Sequence, residues 1–126
     1  MKIIEFNYKH LTSLNAWLEH HKKPLVKFED LPHIGYTAII DKPIAVGFIH
    51  RCEGDFCILG GLCTNPEYSS EHRSEAIDMI VDNLIQIAKL LGFKEMLALT
   101  IEGTILNRSE KFGFKELSHK VIGKEL

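Results

Sequence analysis

The spacing of hydrophobic and polar positions changes several times along the chain, and each change marks an element. Residues 2–8, Lys-Ile-Ile-Glu-Phe-Asn-Tyr, alternate well enough to predict a first strand. Over residues 10–22, Leu11, Leu14, Trp17 and Leu18 recur at helical spacing, with Thr12 or Ser13 near the start, which predicts an amphipathic helix. Pro24 and Pro32 bracket an irregular connector. Three strands are predicted next, over residues 35–40, 44–52 and 56–64. The turn chemistries Asp41-Lys42-Pro43 and Glu53-Gly54-Asp55 separate them. A second helix over about residues 73–91 gathers Ile77, Ile80, Val81, Leu84, Ile85, Ala88 and Leu91 on one wide face. Asp78, Asp82, Gln86 and Lys89 fall on the other, and Gly92 ends the helix. Residues 96–101 are nearly all apolar, as in a strand covered on both faces.

The predicted order is β-α-β-β-β-α-β-α-β, with two consecutive hairpins followed by a strand-helix-strand crossover. That order gives an α/β (α+β) fold built on a mixed, mostly antiparallel twisted sheet flanked by helices. No repeat, linker or low-complexity segment interrupts it, so residues 1–126 read as one domain.

Composition narrows the function classes. Hydrophobic residues make up 45% and charged residues 25%, the mixture of an ordinary globular protein. The net charge of −2, with Lys and Arg scattered among acidic residues, gives no footprint for nucleic acid. No apolar run approaches the ~20 residues that cross a bilayer, and Glu5 interrupts what would be the core of a signal peptide. Three cysteines, Cys52, Cys57 and Cys63, form no CxxC pair and predict a reducing, cytoplasmic setting. The histidines, including His10 and the His20-His21 pair, match no ligand spacing, so no metal site is expected. Trp17, Phe6 and Phe48 read as core.

The informative stretch is residues 65–114. Thr64-Asn65-Pro66 ends the fourth strand, and Gly60-Gly61 inside that strand marks a bulge or a close backbone approach. Residues 73–78 read Arg-Ser-Glu-Ala-Ile-Asp at the head of the long helix. Glu110-Lys111-Phe112-Gly113-Phe114 closes a short helix downstream. In this order the series resembles the second half of the GNAT-type N-acetyltransferases, which bind acetyl-coenzyme A. The likeness is detailed over residues 56–126, while the first half matches in element order.

That resemblance implies site residues. In the family a loop Arg/Gln-x-x-Gly-x-Gly/Ala opens the long helix and cradles a pyrophosphate on backbone N–H groups at the helix N-terminus. Aligned on Arg73, Ser74, Glu75 and Ala76, this chain keeps the Arg and one small residue, with no glycine between Pro66 and Gly92. Ser69, Ser70 and Ser74 also read as ordinary helix caps, with Glu71 and Glu75 suited to the positive end. Backbone groups of Leu62, Cys63 and Thr64 would meet the pantetheine arm where the fourth and fifth strands splay apart. A backbone N–H at Cys63 or its neighbour would face the developing oxyanion. Ser109 stands where the family often has a cofactor-contacting tyrosine that protonates the leaving thiolate.

Bases for the amine proton come from outside the fourth strand: His50, Glu102 or His72. Cys63 could form an acetyl-enzyme, but nothing near it in sequence lowers its pKa, and a buried apolar Cys is the commoner state. The family implies a small-molecule or peptide amine as acceptor, and a homodimer through the sheet edge or the C-terminal strand. The missing glycines and tyrosine support an alternative, a catalytically degenerate protein of this fold acting as a binding or regulatory module.

Overall fold

The computed structural model describes residues 1–99 and 107–126. Five strands form one sheet in sequence order: β1 (Lys2–Glu5), β2 (Ile34–Ile39), β3 (Pro43–Arg51), β4 (Phe56–Thr64) and β5 (Glu95–Ala98). The first three pairings are antiparallel, and only β4–β5 is parallel. Two helices cover the sheet, α1 (Leu11–His20) and α2 (Ser70–Leu90).

Alternation along β3 sends successive side chains to opposite faces, and each face carries its own core. On one, Ala45 and Ile49 meet Cys57 and Leu59 of β4 and Ala76, Ile80, Val81, Leu84 and Ala88 of α2. On the other, Val46 and Phe48 meet Cys63 of β4 and Leu14 and Trp17 of α1. The predicted core aromatics Trp17 and Phe48 are therefore buried, and Phe6 packs partly buried against the second cluster.

Several boundaries differ from the sequence reading, each for a local reason. β1 stops at Glu5 because Asn7, not Thr12 or Ser13, opens the next element: its side chain accepts from the Lys9 N–H at 2.9 Å. A 3-10 turn, Tyr8–His10, then feeds straight into α1. At the far end of α2, Gly92 takes φ +87°. The Gly92 N–H bonds Lys89 O and the Phe93 N–H bonds Ala88 O, the paired bonds of a Schellman cap. β5 ends at Ala98, and Leu99 lies exposed beyond it; Thr100 and Ile101, also predicted for that strand, lie outside the described residues. The predicted last helix is helical over the described residues 107–109 and tightens into the 3-10 turn Glu110–Phe112. Gly113, at φ +88°, ends it. Phe114 then packs against the α2 core, which gives the Gly-Phe signature its physical sense. The predicted final strand does not form: residues 115–126 pair with no described strand, and Leu117, Val121 and Ile122 are exposed.

His10 is buried, with Nδ1 facing both the Thr37 hydroxyl (2.9 Å) and the Asn7 N–H (3.2 Å). Burial lowers its pKa below the ordinary 6.5. A depressed folded pKa stabilises the fold above the unfolded value, and that contribution is lost as pH falls through the folded value. Protonation would also remove the acceptor that both donors use. We expect the melting temperature to drop between pH 7 and 5 more steeply for the natural chain than for His10→Gln, measured by thermal denaturation across that range. Equal slopes would contradict this role.

Candidate functional site

The parallel β4–β5 ladder runs from Phe56↔Glu95 to Leu59↔Ala98 and stops there. β4 continues for five more residues, Gly60 to Thr64, with no β5 partner among the described residues. At the same point β4 bulges. Val46 pairs with Cys63 and Phe48 with Gly60, so Gly47 alone faces the two residues Gly61 and Leu62. Gly61 adopts φ +64°, and a Cβ there would lie 2.7 Å from the Phe48 ring. Both demands call for glycine. The expected bulge is thus present at the expected pair, just past the last β4–β5 pair among the described residues.

Backbone direction decides which β4 groups face the opening. The Asn65 N–H bonds Ile44 O of β3 at 2.6 Å. Alternation along an extended chain therefore turns the Cys63 N–H toward β3 and the Thr64 N–H toward the open side. Of Cys63 and its neighbour Thr64, it is the Thr64 N–H that is directed away from β3. The Cys63 side chain is buried against Trp17 and Phe48, and burial raises its thiol pKa, so a reactive thiolate is not what this site provides.

Asn65 turns the chain from β4 into α2. It is 5% exposed, donates from Nδ2 to Pro43 O at 3.1 Å and accepts the Glu67 N–H on Oδ1 at 3.0 Å. Ser69 caps α2 by accepting the His72 N–H on Oγ. The Ser70 and Glu71 N–H groups, in the first turn, have no acceptor among the described residues and point outward along the helix axis. A phosphate would be met here.

Arg73, Ser74, Glu75 and Ala76, read from sequence as a loop, follow that helix start. Those four residues lie within α2, where helical hydrogen bonding uses their N–H groups; that of Arg73 bonds Ser69 O at 3.0 Å. Ala76 is fully buried against the sheet. The Arg73 guanidinium turns back to the carbonyls of Pro66 (3.4 Å) and Tyr68 (2.6 Å), bracing the turn from within. Ser74 Oγ accepts from Arg108 at 3.1 Å, and Glu75 is exposed. Asn65, Tyr68 and Ser69 were not among the site residues read from sequence. The available signal was a preferred capping residue, Ser69, three positions after Pro66.

Two further groups of charges surround the turn. Tyr68 Oη donates to Asp41, and Lys42 pairs with Glu67 at 2.8 Å. The Tyr68 hydroxyl holds the Asp41 carboxyl below its ordinary pKa, while Lys42 and Glu67 shift each other toward their charged forms. On α2, Asp78 receives Arg108 at 2.8 Å and Lys111 as well. Burial pushes the Asp78 carboxyl up, but these two hydrogen-bonded cations outweigh it and hold it low. They fasten the segment that carries Arg108 and Lys111 alongside α2.

The candidate proton carriers are dispersed. His50 is exposed on the α1 face of β3, and a Cβ added to Gly60 would lie 3.0 Å from its ring. In the same transverse row lie Ile58 and Leu97. His72 is exposed in the first turn of α2, edge-on to the Tyr68 ring. Ser109 is half-buried in the turn beside α2, its carbonyl accepting the Phe114 N–H at 3.3 Å. Glu102 lies outside the described residues. Among the described residues no cluster of His, Cys, Asp or Glu could hold a metal, and no helix is long and apolar enough to cross a membrane.

No family model matches the sequence, and no curated protein does. Solved structures match closely in shape. Rv2747 from Mycobacterium tuberculosis, solved in complex with CoA, aligns with TM-score 0.79 at 16% identity, over 98% of this chain and 76% of that one. An acetyltransferase of Trypanosoma brucei aligns at 0.75 and 11% identity, over 98% and 99%. AAC(6')-Iy, in complex with the bisubstrate analogue CoA-S-monomethyl-acetylneamine, aligns at 0.70 and 16%, over 99% and 97%. The chain has the fold of the GNAT-type acetyltransferases.

Proposed function

We propose that this chain is an acetyl-CoA-dependent N-acetyltransferase acting on a small-molecule or peptide amine. One observation carries the reading: β4 bulges at Gly61 just past its last described pair with β5, and the strand then runs into a helix start whose first N–H groups have no acceptor among the described residues. The fit to the cosubstrate is direct. The diphosphate takes the Ser70 and Glu71 N–H groups, and the pantetheine arm lies along the edge of β4 that has no partner among the described residues, where the Thr64 N–H faces it.

In the reaction a neutral amine attacks the acetyl carbonyl carbon, and the oxyanion develops within reach of the β4 edge. The C–S bond then breaks, releasing CoA thiolate. The ammonium proton must pass to a base and the thiolate must gain one. His50 suits the first task, because it is exposed on the face opposite α2 and sits over Gly60, next to the bulge. Glu102 and His72 are the other candidates for that base. Ser109 takes the second task through water, as a weak acid. Arg73 contributes by bracing the turn, and Ser74 by holding Arg108.

An acetylation screen over amines, read as free CoA released, tests the reading. With an accepted amine, His50→Gln is expected to lower kcat about 10²-fold with little change in KM for acetyl-CoA. An unchanged kcat would remove His50 as the base. The alternative, a binding or regulatory module, is favoured by one specific feature: Arg73 and Arg108 both spend their guanidinium groups on protein acceptors. Acetyl-CoA binding without turnover of any amine would support it.

A further inference from the structure

We infer that Asp41, Lys42, Glu67 and Tyr68 form a clasp that positions the phosphate-facing turn, and that Lys42 makes this turn tolerable to an anion. The inference rests on the acetyl-CoA reading above and adds four positioning residues to it.

The connection from β4 to α2 is short, and it carries Glu67 two residues before the N-cap Ser69, with Glu71 in the first turn. Left alone, these carboxylates would repel the diphosphate that the free N–H groups attract. The β2–β3 turn answers this with two crossed contacts. Lys42 Nζ reaches Glu67 Oε2 at 2.8 Å, and Tyr68 Oη donates to Asp41. The two contacts join neighbouring residues at each end, and Lys42 also stands 5.9 Å over the Tyr68 ring, so they brace one another.

Three other bonds tie the same turn from below and behind. Asn65 holds the Glu67 N–H and Pro43 O, and Arg73 holds the Tyr68 carbonyl. Pro43 immediately follows Lys42, so the Asn65 bond joins the two turns at their base. The carboxylate of Glu67 is thereby paired and turned toward the β2–β3 turn, away from a ligand on the helix axis. Exposed pairs of this kind add little to stability; both side chains are more than half exposed, at 53% and 71%. The value of the pair lies in where it puts the charge.

The test is calorimetric binding of two probes to the full chain, acetyl-CoA and S-acetylpantetheine, which lacks the diphosphate. Lys42→Ala is expected to raise the Kd for acetyl-CoA about tenfold, because Glu67 is left unpaired beside the phosphates. The double variant Lys42→Ala/Glu67→Gln is expected to return it to within about twofold of the natural chain. Tyr68→Phe is expected to raise it about threefold, from loss of one hydrogen bond to a charged group. S-acetylpantetheine should bind all four proteins alike. Three results would overturn the clasp: an unchanged Kd in Lys42→Ala, no recovery in the double variant, or an equal loss for both probes. If the natural chain binds neither probe, the acetyl-CoA reading itself fails, and the clasp falls with it.

Discussion

Gly61→Val is expected to lower the melting temperature by about 10 °C and to abolish acetyl-CoA binding. Gly61 holds φ +64°, and a side chain there would approach Phe48 to 2.7 Å. A β-branched residue in the left-handed region costs about 1–3 kcal/mol. Displacing a ring that is 1% exposed adds about 1–3 kcal/mol of overpacking. A total near 3 kcal/mol corresponds to about 10 °C for a chain of this size. The functional loss has a separate origin: relief of the strain would straighten β4, restoring a regular ladder with β3 and realigning the edge that faces the opening. Thermal denaturation and calorimetry check the two effects separately. A variant with unchanged melting temperature would contradict the tight bulge, and a folded variant that still bound cofactor would detach the bulge from the site.

Asn65→Ala is the second large effect, expected to destabilise by about 2–4 kcal/mol and to weaken acetyl-CoA binding more than tenfold. The side chain serves the Pro43 carbonyl and the Glu67 N–H, and it is buried. Its removal strands a donor and an acceptor at about 1–3 kcal/mol each, partly recovered if water enters. The turn that presents the Ser70 and Glu71 N–H groups then loses its base. Asn65→Asp separates the two bonds, since a carboxylate still accepts from Glu67 N–H but cannot donate to Pro43 O. Chemical denaturation measures the stability and titration the affinity. If Asn65→Ala bound as tightly as the natural chain, the turn would not owe its geometry to this residue.

Most of the fold was legible because periodicity reports burial. The 3.6-residue stripe of α2 is imposed by the core it builds, so Ile80 and Leu84 fall where the pattern put them, and Phe48 is buried as its size and apolarity implied. Gly60-Gly61 was legible for a related reason, since only a special backbone justifies two glycines inside a strand.

The start of α2 was misplaced because periodicity is silent about the first turn. Ser70, Glu71 and His72 are exposed and carry no apolar stripe, and the start is set by one hydroxyl, that of Ser69. An alignment anchored on Arg73 therefore assigned to a loop four residues that the helix uses. The clasp was invisible for another reason. Asp41 and Tyr68 are 27 residues apart and meet through topology alone. The final strand failed because residues 115–126 offer apolar residues but no described strand completes a ladder with them.

The central claim is that β4, its bulge and the α2 start form a coenzyme A site. Titration of the natural chain with acetyl-CoA, repeated on Gly61→Val at a temperature where both are folded, tests it most directly. The account predicts one site with a Kd of order ~10 μM, near −7 kcal/mol, in the natural chain and no measurable heat in the variant. No binding by the folded natural chain at millimolar acetyl-CoA would contradict it.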